Sequence, residues 1–103
     1  MRVIVFFDLP MEKGSEVKQY NSFRKFLINE GFIMLQKSVY SKIALNMSIA
    51  DSVRKKVYEK VPDSGIVQLL IITERQFSKI ETIVGEHKSD VLDTTDRMII
   101  IWN

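Results

Sequence analysis

The run Val3-Ile4-Val5-Phe6-Phe7 carries large apolar side chains at odd and even positions alike, and so does Leu69-Leu70-Ile71-Ile72. Successive side chains of a strand point to opposite faces, so strands of this kind need both faces of their sheet kept from water. A half-solvated strand alternates apolar with polar instead. Any fold for this chain therefore has to supply cover on two sides.

The remaining segments supply cover for one. Residues 2 to 8 read as a strand, stopped by Pro10 and the turn-like "MEKG". Ser15 is placed to cap a helix, with Lys18 at its third position, and Val17, Tyr20, Phe23 and Leu27 form its apolar stripe up to Gly31. Residues 32 to 43, "FIMLQKSVYSKI", read as one long second strand with a bulge near Gln36 to Ser38. Ser48 caps a second helix striped by Ile49, Val53, Val57 and Val61 and ended by Pro62. A strand from Gly65 to Thr73 follows, then a helical turn in "ERQFSKI", a short strand in "ETIVG", a polar connection "EHKSDVLDTTD" and a last strand from Met98 to Trp102.

A length of 103 residues suits a single domain, 1–103, with 86–103 as its C-terminal connection and strand. The order is taken as βαββαβ with an appendix, the α+β ferredoxin-like arrangement with an antiparallel sheet. It predicts the first and third long strands side by side at the sheet centre and both helices on one face. The other face calls for a second copy, packed sheet to sheet about a two-fold axis. The last strand can then pair in its own sheet or in the partner's.

Composition narrows the function classes. The chain has no cysteine, which excludes a disulfide framework and cysteine-ligated zinc and fits a reducing interior. The apolar run after Arg2 ends at Asp8 without a signal-peptide cleavage site, and no run is long enough to span a membrane, so a cytoplasmic home is expected. Net charge is +2, but residues 1 to 60 carry +5 and residues 61 to 103 carry −3. The basic portion is where a polyanion would bind. His87 is the sole histidine and falls in the polar connection, where a solvated role is expected.

Asp8 closes the first apolar strand just before Leu9-Pro10. One role for it is local, accepting backbone N–H bonds in the turn that Pro10 shapes. The other follows from the dimer. A two-fold axis near the strand exit brings two Asp8 carboxylates together, and such a pair needs a proton or cation between its members. Mg2+ suits the pair, because it takes one or two carboxylates, keeps several waters and favours phosphate oxygens.

The segments "VFFDLP", "YNSFRKFLINEGFIMLQKSVYSKI" and "LLIITERQFSKI" resemble the CRISPR-associated protein 2 family, in the form that accompanies type II systems, from Met1 to about Ile80 and more loosely beyond. The resemblance implies a ferredoxin-like homodimer that bridges dimers of the CRISPR integrase and supports the double-stranded DNA backbone of a spacer during its acquisition. It also implies an alternative, a magnesium-dependent endonuclease on single-stranded RNA or double-stranded DNA, with Asp8 as catalytic residue and metal ligand. Phe7 stands where many relatives carry tyrosine, and Met11 where many carry a hydroxyl or acidic residue.

A duplex-backbone binder needs cations on one outward surface. Lys18, Arg24 and Lys25 on the first helix, Lys37, Ser38 and Lys42 in the second strand, and Arg54 and Lys55 on the second helix are the expected nucleic-acid-binding set. No aromatic spacing makes a base-stacking platform, and the glycine-aromatic run of RNA-recognition modules is absent.

Overall fold

The computed structural model describes residues 1–85. Strand β1 (Arg2–Asp8) leads to helix α1 (Gly14–Asn29), strands β2 (Ile33–Gln36) and β3 (Val39–Ile43), helix α2 (Met47–Lys60), strand β4 (Ile66–Ile72) and a single turn, α3 (Glu74–Phe77). The strands form one antiparallel sheet in the order β2-β3-β1-β4. This is the ferredoxin-like βαββαβ arrangement.

Parity along β1 sets the two layers. Val3, Val5 and Phe7 point at the helices and join Tyr20, Phe23 and Leu27 of α1 and Ala50, Val53 and Val57 of α2 in the core. Each of the valine, leucine and phenylalanine side chains among them stabilises by roughly 1.5 to 3 kcal/mol when buried. The register places Arg2, Ile4, Phe6 and Asp8 on the opposite face, beside Val39, Ser41 and Ile43 of β3 and Ile66, Gln68, Leu70 and Ile72 of β4. No helix of the described residues lies over most of that face, and Phe6, Ile33, Ile43, Ile66 and Leu70 are exposed on it.

Several expectations need correction. Residues 32 to 43 are a hairpin, not one long strand: the chain reverses at Lys37 and Ser38, and the irregularity lies between Met34 and Gln36. Consequently β3 shares the centre with β1, while β4, though beside β1, is the outer strand among the described residues. Apolar content alone did not separate a central from an outer strand, because β4 packs its odd residues on the core and bares its even ones.

Helix starts also shift. Lys13 is the N-cap of α1, and the Glu16 carboxylate reaches back to accept from the N–H groups of Glu12 (3.0 Å) and Lys13 (2.9 Å). In α2 the Asn46 side chain accepts from the Ile49 N–H at 2.9 Å, so Ser48 lies inside the helix. The core stripe of α2 is Ala50, Val53 and Val57; Ile49 and Val61 are exposed. Residues 81 to 85, expected as a strand, are bends and irregular chain. The polar connection from residue 86, His87 and the strand at Met98–Trp102 lie outside the described residues.

Candidate functional site

Phe7 anchors the end of β1. Its ring lies 5.3 Å from Phe23, edge to face, 5.7 Å from Tyr40, stacked, and 5.8 Å from Tyr20. Its N–H donates to the Ser38 carbonyl at 3.0 Å, tying the strand exit to the β2–β3 turn. The hydroxyl-free ring is therefore a packing element, and Asp8 follows from a fixed backbone.

Gly65 fixes the same backbone from the other side. It holds φ at +94°, and a Cβ there would stand 2.7 Å from the Asp8 carbonyl oxygen and 2.8 Å from Leu9 Cδ2. Only glycine fits both the dihedral and the space. Sequence reasoning missed this residue, since the close approach arises from the pairing of Asp8 with Ile66.

The Asp8 carboxylate is exposed on the open face and accepts no hydrogen bond and pairs with no cation among the described residues. The local structural role for it is taken by Glu16, which satisfies the N–H groups ahead of α1. A carboxylate that does no structural work at a rigid strand exit is available to a ligand. The described residues of one chain hold no cluster of three or more metal-ligating side chains. One carboxylate and solvent fit Mg2+ weakly; two carboxylates facing each other fit it well.

The basic set lies elsewhere. Lys18, Arg24 and Lys25 are exposed on α1 and Lys55 on α2, all in the helical layer on the far side of the sheet from Asp8. Lys37 is exposed in the β2–β3 turn, at the Asp8 end. Ser38 is half-buried beside it. Lys42 points inward, its ammonium donating to the Glu30 carbonyl at the end of α1. Arg54 is held by Asp51 through Nε (2.9 Å) and Nη2 (2.7 Å), with its guanidinium 5.5 Å from the Tyr58 ring centre. That hydrogen bond pulls the Asp51 carboxyl below its ordinary value and raises Arg54. A groove of about 400 Å³ between α2 and β4, with Arg54, Tyr58, Gly65, Val67 and Leu69 in its walls, lies on the helical side of the sheet, opposite the face that carries the Asp8 carboxylate. Asp8 thus stands on an open surface, where a small molecule would find no walls and a long polyanion could run across.

A protein-family model described as "CRISPR associated protein Cas2" matches residues 1–80. The chain belongs to the Cas2 family. It is 48% identical over 101 residues to a CRISPR-associated endoribonuclease Cas2 of Treponema denticola, covering 98% of this chain and 100% of that one. It is 42% identical, over the same shares, to the endoribonuclease Cas2 of Ligilactobacillus salivarius. A crystal structure of Streptococcus pyogenes Cas2 superposes with a TM-score of 0.60 at 15% identity over 82% of this chain and all of that one, a likeness of fold. The Cas2 family places the chain in CRISPR adaptation in general terms. Among the described residues, no helix is long and apolar enough to cross a membrane.

Proposed function

We propose that this Cas2 chain is a magnesium-dependent endonuclease acting as a homodimer, with one Asp8 from each copy forming the site. The observation that carries the reading is the unengaged Asp8 carboxylate at a rigid strand exit, on a sheet face that bares Phe6, Ile66 and Leu70. Burying that face against a second copy recovers roughly 1.5 to 3 kcal/mol per large side chain and sets the two carboxylates near one axis. The names of the curated relatives, endoribonuclease Cas2, favour this reading over the adaptor.

When bound, Mg2+ would supply charge stabilisation to a phosphodiester and a more acidic water. The chain's own part is to hold it with the paired Asp8 carboxylates and to keep those still through Phe7 and Gly65. Lys37, at the same end, would draw the phosphate backbone in. The test is purified protein with Mg2+ on single-stranded RNA and on duplex DNA. Asp8→Ala is expected to cut neither while remaining a dimer by ultracentrifugation. Cleavage that survives Asp8→Ala would remove the site assignment.

A second reading rests on a different observation, the separation of the exposed helical cations from Asp8 by the sheet. In a sheet-to-sheet dimer the helices face outward, so a duplex lying on Lys18, Arg24 and Lys25 would not reach Asp8. That suits an adaptor that supports spacer DNA and binds the CRISPR integrase. Spacer acquisition retained in Asp8→Ala while cleavage vanishes would make scaffolding the biological role.

A further inference from the structure

One end of the open sheet face differs from the rest. At its centre Ser41 is fully buried and Ile4 is 4% exposed, whereas Ile43 and Leu70 on either side, and Phe6 and Ile66 toward the far end, are exposed. The groups over that end come from β1 and α3. The Arg2 guanidinium donates from Nε (2.9 Å) and Nη2 (2.7 Å) to the two carboxylate oxygens of Glu74. Its Nη1 donates to Ser41 Oγ at 3.4 Å, and its Cζ sits 4.0 Å from the Phe77 ring centre. The Arg2 side chain is only 14% exposed.

A two-point fork and a stacked ring orient a guanidinium far better than a lone ion pair does. The turn it holds is itself well capped. Thr73 Oγ1 accepts from the Gln76 N–H at 3.0 Å, and the Gln76 side chain accepts from the Thr73 N–H at 2.9 Å. So α3 is a preformed block clipped over Arg2, Ser41 and Ile4 at one end of a face that no other helix of the described residues covers.

We infer that the Arg2–Glu74–Phe77 clasp is a spacer for the copy-to-copy contact: it covers the β1–β3 centre of the Arg2 end, between exposed Ile43 and Leu70, and so shifts the seat of a second copy toward the Phe6–Asp8 end, where the paired carboxylates meet. The inference rests on the homodimer reading and adds what fixes its register. A clipped charged block at one end of the face works against alternative seatings of a second copy.

The test exploits the absence of cysteine, which makes a spin label on Ser22→Cys, exposed on α1, report distances between copies alone. With an intact clasp a single narrow distance peak is expected. Arg2→Ala and Glu74→Ala, two independent lesions, should each broaden or split that peak while the protein keeps its helical circular dichroism. Arg2→Lys, which keeps the charge and loses the fork, should broaden it partway. A single unmoved peak in both alanine variants overturns the clasp and leaves the homodimer standing. No dipolar signal between copies of the Ser22→Cys protein overturns the homodimer reading and the clasp with it. Should one alanine variant lose its fold, the other is read alone against the same criterion; loss of fold in both assigns the clasp to folding and overturns its spacing role.

Discussion

Tyr40 carries the one buried side-chain polar atom without a partner among the described residues, a hydroxyl deep in a core where its ring stacks on Phe7. An unsatisfied buried hydroxyl costs about 1 to 3 kcal/mol, so Tyr40→Phe is expected to raise the urea midpoint, by up to about 1 kcal/mol in stability once the packing is kept. A lowered midpoint would show that the hydroxyl is satisfied by a buried water. Gly65→Ala has the opposite sign. Its positive φ and its approach to the Asp8 carbonyl predict a loss of about 1 to 3 kcal/mol by the same measurement. Asp8 was legible in the sequence because a carboxylate between an apolar strand and a proline is locally odd. Gly65 was not, because the reason for it lies across the sheet and only the fold brings it there.

Among the elements, the helices were found by their spacing and misplaced by their caps. Ser15 and Ser48 have the right chemistry for capping, but Glu16 and Asn46 reach the free N–H groups first, and sequence holds no measure of that competition. The hairpin of β2 and β3 was hidden for a related reason. Its turn at Lys37–Ser38 contains neither glycine nor proline, so the strand pattern reads straight through it. In helix α2 the Arg54 hydrogen bond and charge hold the Asp51 carboxyl below its unfolded value. A lowered folded-state value means that the contribution is present above the ordinary carboxylate range and fades as pH falls through and below it, from about pH 4 downward. Thermal melts across that window are expected to fall more steeply for the parent protein than for Asp51→Asn, with a small difference because the pair is solvent-exposed. Parallel curves would mean that the pair contributes nothing to stability.

At the scale of the whole molecule, the sheet and its two faces were readable, since apolar strands on both parities are a global property of the chain, and the family was readable only through the resemblance of segments such as "FRKFLINEGF". What was not readable is which cations remain free after folding. Lys42 is spent on the Glu30 carbonyl and Arg54 on Asp51, while Lys18, Arg24, Lys25 and Lys37 form no ion pair among the described residues. If about three of these per copy meet phosphates, a dimer neutralises about six, and log affinity for duplex DNA should fall with log salt at a slope near −5. On a single strand the same contacts give a slope nearer −4, about 0.7 per phosphate. Lys25→Ala removes one cation from each copy and should flatten the duplex slope by about 2, whereas Lys42→Ala, taking a cation already committed to the fold, should leave it unchanged. Equal slopes for Lys25→Ala and the parent would take Lys25 out of the phosphate contacts, because a contact made by that lysine has to appear in the count of released ions.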